Sequence, residues 1–117
     1  EIYRALVEIV REYQPTVAAV ERVFYAKGVK SALSLGHARG VSLLAAISEG
    51  LPIYEYSASE VKRAVVGYGR AEKRQVQDMV KTLLNLTISL SPDSADALAL
   101  SICHLNTTRI AAKGYRN

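Results

Sequence analysis

Thr16-Val17-Ala18-Ala19-Val20-Glu21 makes this chain α/β. The run is short, rich in β-formers and closed by a charge. It lacks the alternation of a strand with one wet face. Such a run reads as a strand buried on both sides, as in a parallel sheet with helices on each face. Glu21 then stands at the carboxyl end of that strand. In open α/β sheets, ligands gather outside the carboxyl ends of strands. An acid there is a better candidate for chemistry than an acid elsewhere, although standing alone it reads first as a solvated strand terminus.

Before this strand, residues 1–13 carry Ile2, Leu6, Ile9, Val10 and Tyr13 at helical spacing, with Arg4, Glu8, Arg11 and Glu12 opposite. Pro15 ends this helix, because it drives its predecessor out of the α region. Beyond the strand, residues 22–30 mix Phe24 and Tyr25 with Arg22, Lys27 and Lys30. That mixture suits phosphates and unstacked bases; a Phe24 packed into the core is the competing reading. Ser31 to Ser48 is the longest helical pattern. It is apolar nearly all round, and Gly36, Ala38, Gly40, Ala45 and Ala46 permit close approach. A helix with so little polar surface is expected to be buried on two sides; the sheet can cover one and a second subunit the other. His37 and Arg39 fall off its apolar face, and neither is assigned as a metal ligand.

Glu49-Gly50 closes the helix, and Pro52 to Tyr56 predicts a short second strand, with Pro52 at its start. Ser57 and Glu60 form a capping-box pattern for a helix reaching about Val66 and displaying Lys62 and Arg63. Gly67-Tyr68-Gly69-Arg70 is a basic turn. Its glycines lack the spacing of a dinucleotide fingerprint, but they let backbone approach a phosphate. A helix follows from Ala71 to about Asn85. Lys73 and Arg74 lie in its first turn, the unfavourable end for cations. Bound phosphate would explain them; tolerated frustration offset by Glu72 and Asp78 is the alternative.

Ser91-Pro92-Asp93-Ser94-Ala95-Asp96 opens the last helix, predicted to reach about Thr107. Ser91 can cap it and Pro92 fits its first position. A spacing of three puts Asp93 and Asp96 on one face, one turn apart. Helix punctuation explains two acids here, and so does a pair of carboxylates aimed at a metal ion. Residues 108–117 are basic and predict a frayed tail.

The 117 residues suit one domain, with half apolar and 22% charged. The net charge of +4 and pI near 9.3 are compatible with nucleic acid without establishing it. The single cysteine, Cys103, sits in an apolar helix, so no internal disulfide forms and a buried thiol in a reducing compartment is expected. There is no secretory signal, no apolar run of transmembrane length, no repeat and no zinc pattern. The chain opens inside a helical pattern without methionine, as a piece beginning partway through a domain would.

Four groups of residues, taken jointly, resemble one family. They are Glu21-Arg22-Val23-Phe24; Ser31-Ala32-Leu33-x-Leu35-Gly36-x-Ala38-Arg39-Gly40; Val65-Val66-Gly67-x-Gly69-x-Ala71-x-Lys73-x-Gln75-Val76; and Asp93-x-x-Asp96-Ala97-Leu98-Ala99. The chain resembles, over almost its whole length, the RuvC family of bacterial Holliday-junction resolvases, which are ribonuclease H-like endonucleases. The resemblance implies a three-layer α/β fold, here a partial domain, mostly helical with two strands. The family's first three strands would fall upstream of Glu1. It implies a site of four acidic or metal-binding positions around two Mg2+ ions, with Mn2+ as an alternative. Glu21, Asp93 and Asp96 match three of them, and the fourth, an Asp on the first strand, would also lie upstream. Lys62 and Lys73 match basic residues of the cleavage site, and Phe24 matches an aromatic that meets bases.

The resemblance implies cleavage of four-way junction DNA in recombination and repair, in the bacterial cytoplasm. It implies a homodimer through the 31–48 helix, with junction-binding and branch-migration proteins as partners. Lys27, Lys62, Arg70 and Lys73 are expected to contact phosphates, and residues 1–117 to form a single nuclease domain. The competing expectation is a DNA-binding and dimerising fragment without nuclease activity, for want of the first-strand Asp. An unpaired edge on the Val17–Val20 strand would make the isolated chain oligomeric or prone to aggregate.

Overall fold

The computed structural model describes residues 1–22 and 28–112, with side chains up to Arg109. The element order is α1 (Ile2–Tyr13), β1 (Ala18–Glu21), α2 (Gly28–Ser48), β2 (Ile53–Tyr56), α3 (Ala58–Val65), α4 (Lys73–Leu83) and α5 (Pro92–Ala112). The α/β class with two strands and a helical majority is therefore as expected. Phe24 and Lys27 lie outside the described residues. The chain divides into two compact units, Glu1–Tyr54 and Glu55 onward.

In the first unit, α1 packs on α2. Gln14 ends α1 in a left-handed conformation, φ 49°, and its N–H returns to the Val10 carbonyl at 2.8 Å. Pro15 follows, as a residue that cannot continue the helix. The buried residue of α1 is Val7, and on α2 only Ala45 and Ala46 are buried. The expected apolar stripe is thus displaced: Ile2, Ile9 and Tyr13 are exposed, Tyr13 at 73%. The stripe is wide, and α2 covers only the part centred on Val7. Two polar contacts fasten the pair. Arg11 donates from Nε and Nη2 to the two carboxylate oxygens of Glu49, at 3.1 and 3.2 Å, and Tyr3 Oη meets Ser48 Oγ at 3.1 Å. The adjacent carboxylate holds the Arg11 guanidinium even further into its charged form.

Strand β1 pairs with β2 in a two-stranded parallel sheet, entered where the Ala18 N–H donates to the Pro52 carbonyl at 2.9 Å. The strand begins at Ala18 rather than Thr16. Its residues Ala18 to Val20 are half-buried, not enclosed on both faces as expected. Its one neighbour among the described residues is β2, so the strand is only partly covered. Helix α2 starts three residues earlier than its pattern suggested, because nothing after Gly28 breaks a helix. Gly50, with φ 78°, takes the left-handed place that ends α2.

The second unit is built on α5. Ala95, Ala99 and Cys103, four apart, form a buried small-residue face with 1–2% exposure. Small side chains there let α3 and α4 approach closely, bringing Val61 and Val65 from one and Val76 and Val80 from the other. Val80 is wholly enclosed, worth about 1.5–3 kcal/mol relative to exposure. Helix α4 begins at Lys73 rather than Ala71, because Ala71 is buried beside it and Glu72 takes the extended N-cap conformation. Asn85, left-handed at φ 53°, follows the end of α4. Helix α5 continues to Ala112, five residues past the expected end. Thr107 and Thr108 do not stop it, since their hydroxyls donate back to the Cys103 and His104 carbonyls.

Candidate functional site

The capping predicted for α5 is present. Ser91 Oγ accepts the Ser94 N–H at 3.1 Å and also pairs with Ser94 Oγ at 2.9 Å. This fixes the first turn and with it the direction of the acids it carries. The face of α5 defined by Ala95, Ala99 and Cys103 is occupied by packing. Asp93 and Asp96 lie outside that face, roughly 60° apart around the axis and one turn apart along it. Both are exposed, and the positive end of the helix favours their charge.

Lys73 comes to these acids from α4. Its Nζ lies 3.4 Å from Asp96 Oδ2, with both side chains more than half exposed. The cation placed at the unfavourable end of α4 therefore has a carboxylate partner. Arg74, beside it, is 4.0 Å from Asp78 on its own helix. Lys62 is half-buried on α3, and Arg70 is exposed in the turn before α4. Thus the second unit brings together Asp93, Asp96 and Lys73, and carries Lys62 and Arg70 on neighbouring elements.

Glu21 belongs to the first unit and is exposed at the end of β1. Its carbonyl accepts a short bond, 2.6 Å, from Arg39 Nη1 on α2. Arg39 was set aside in the sequence as a residue off the apolar face. Its role at the strand end depends on tertiary packing across eighteen residues, for which the sequence carries no local signal. Among the described residues, no three His, Cys, Asp or Glu side chains gather into a group able to hold a metal ion. The Asp93–Asp96 pair supplies two carboxylates of the hard-oxygen kind that Mg2+ takes. These donors fit such an ion, with Lys73 as the competing cation on one of them.

Cys103 is buried, and burial pushes its thiol above the ordinary range. That keeps it protonated and inert, as its place in an apolar helix predicted.

Residues 1–104 match the model of the family described as crossover junction endodeoxyribonuclease RuvC. The chain belongs to the RuvC family. It is 52% identical to the crossover junction endodeoxyribonuclease RuvC of Geobacter sp. (strain M21), over 99% of this chain and 72% of that protein. It is 54% identical to the RuvC of Citrifermentans bemidjiense, over 96% of this chain and 68% of that one. Among solved structures, Thermus thermophilus RuvC superposes with a TM-score of 0.83, at 34% identity over 94% of this chain and 67% of that one. The same RuvC in complex with a Holliday junction substrate gives 0.86. The ribonuclease H-like fold expected from the sequence motifs is therefore that of this chain.

Proposed function

We propose that the protein is a structure-selective endonuclease that cuts four-way (Holliday) DNA junctions by metal-dependent phosphodiester hydrolysis, in recombination and repair. The observation carrying this is Lys73 beside the Asp93–Asp96 pair, in a chain whose residues 1–104 match the RuvC family. Residues 1–117 act as one nuclease domain. RuvC-family nucleases are metal-dependent. Here Asp93, Asp96 and Glu21 would hold Mg2+, with Mn2+ as a substitute. When bound, a pair of such ions polarises the phosphate, activates water and stabilises the leaving oxygen.

The chain's own residues do the rest. The capped first turn of α5 presents two carboxylates in fixed directions. Lys73 and Lys62 hold the scissile phosphate as point charges. Releasing Lys73 from Asp96 costs little, because exposed ion pairs are worth about 0–1 kcal/mol. Lys27 and Arg70 contact flanking phosphates, and Phe24 stacks on bases near the crossover.

Two sites on one junction call for a two-fold dimer. The 31–48 helix is its interface in this reading, supported by the exposure of Leu33, Leu35, Leu44 and Ile47. Junction-binding and branch-migration proteins are the further partners, and the bacterial cytoplasm, where the DNA lies, is the place of action. No helix among the described residues is long and apolar enough to cross a membrane.

The test compares a synthetic four-way junction with a linear duplex of the same sequence, in Mg2+. The expected result is paired symmetric nicks on the junction and none on the duplex. Equal cutting of both would overturn junction selectivity, and binding without nicking would favour a junction-binding role over a nuclease.

A further inference from the structure

The motif Val65-Val66-Gly67-x-Gly69-x-Ala71-x-Lys73-x-Gln75-Val76 holds a glutamine to which the nuclease reading gives no task. Its side chain makes two bonds in opposite directions. Gln75 Oε1 accepts the Glu72 N–H at 2.7 Å, which closes the N-terminus of α4. Gln75 Nε2 reaches Tyr68 Oη, also at 2.7 Å. Tyr68 sits in the turn between α3 and α4. That turn is seated on α3: Gly67 takes φ 110°, and a Cβ at Gly69 would run into Ser59 Oγ. One amide therefore ties the turn to the first residues of α4, where Lys73 faces Asp96 at 3.4 Å.

We infer that Gln75 is a positioning residue for cleavage: acting through Glu72 and Tyr68, it holds the first turn of α4 so that Lys73 stands beside the Asp93–Asp96 pair. Glu72 is a poor N-cap by residue type, and although its side chain accepts the Gln75 backbone N–H, the glutamine side chain supplies the other half of this reciprocal box. Without it, the first turn frays toward the 67–70 connection, and an ammonium on a four-carbon stem loses its anchored base. Junction affinity, which is the sum of many phosphate contacts, is affected little. The loss falls on the rate of the chemical step.

This inference rests on the reading of Lys73 as a phosphate-contacting residue, so Lys73→Ala is measured alongside. The experiment is single-turnover nicking of a four-way junction at saturating full-length protein in Mg2+, with junction Kd measured separately in Ca2+. Gln75→Leu is expected to slow nicking about three- to tenfold, the worth of one or two neutral hydrogen bonds. Its Kd should stay within about twofold of the parent. Gln75→Glu keeps an acceptor for the Glu72 N–H and for the Tyr68 hydroxyl, and is expected to restore most of the rate. Tyr68→Phe removes only the tie to the turn from an exposed side chain and should give a smaller slowing at unchanged melting temperature.

The inference is overturned if Gln75→Leu and Tyr68→Phe both nick at the parent rate while Lys73→Ala is slow. It is also overturned if Gln75→Glu is as impaired as Gln75→Leu, or if rate and affinity fall together. Should Gln75→Leu fail to fold, Tyr68→Phe decides alone. A Lys73→Ala protein that nicks normally would instead remove the Lys73 reading itself.

Discussion

The two units of this chain solve the problem of burial differently. In the second, Val61, Val65, Val76 and Val80 close over the small face Ala95–Ala99–Cys103, with Tyr56 and Ala71 beside them. In the first, the buried side chains among those described are Val7, Ala45 and Ala46. Conversely, Ile2, Ile9, Tyr13, Val29, Leu33, Leu44 and Ile47 of the first unit are exposed, several beyond 50%. The unit with the closed core carries Asp93, Asp96, Lys62 and Lys73. A rigid scaffold is what fixed metal ligands and phosphate contacts require. The unit with the open apolar face carries the helix read as the dimer interface, and exposed apolar patches of this kind mark association surfaces.

The contrast is broken most forcefully at the acids. Asp93→Asn keeps the helix start but removes a charge, and loss of several kcal/mol of metal-dependent stabilisation corresponds to about a 10²–10³-fold slower nicking rate. Single-turnover kinetics should show this with the melting temperature unchanged; parent-like nicking would take Asp93 out of the site. Next comes the closed core. Val80→Ala should destabilise the protein by about 2 kcal/mol, two methyls plus a cavity, read from urea unfolding. A negligible change would mean the second unit is looser than its packing indicates.

The matching substitution in the open unit should behave oppositely. Leu33→Ser, at a side chain 69% exposed, should change monomer stability by less than about 0.5 kcal/mol. Sedimentation should nevertheless show a weakened dimer, and junction nicks should lose their pairing. The smallest effect concerns Cys103. Its folded-state thiol titrates above the ordinary value, while the unfolded thiol titrates near about pH 8.5. The unfolded state therefore gives up its proton first, and stability falls as pH rises through that window. Cys103→Ala should flatten this part of the stability profile measured between pH 7 and 10, a window of about that width.

What the sequence revealed and what it hid follow from the range of the interactions concerned. The Ser57–Glu60 capping box forms as read, with Glu60 N–H on Ser57 Oγ at 3.1 Å and Ser57 N–H on Glu60 Oε1 at 2.8 Å. The Ser91 cap forms too, because both are local chemistry over three residues. The reach-back of Gln75 to Glu72 is equally local, but it was missed because glutamate is not a usual cap. The burial of Val7 instead of Ile9 or Tyr13 was hidden, because a wide apolar stripe does not say which part its partner covers. The Arg39 bond to the Glu21 carbonyl and the meeting of Lys73 with Asp96 span 18 and 23 residues. Pattern alone gives no such pairing; the family motifs implied only that Lys73 and Asp96 belong to one site, and gave Arg39 no role.

The proposal that Asp93 and Asp96 hold a divalent ion is tested by titrating Mn2+ into the full-length protein, following the free ion by electron paramagnetic resonance, for the parent and for Asp96→Asn. The parent is expected to deplete the free Mn2+ signal, Mg2+ to compete it back, and Asp96→Asn to bind far more weakly while remaining folded. Equal Mn2+ binding by the parent and by Asp96→Asn would contradict it.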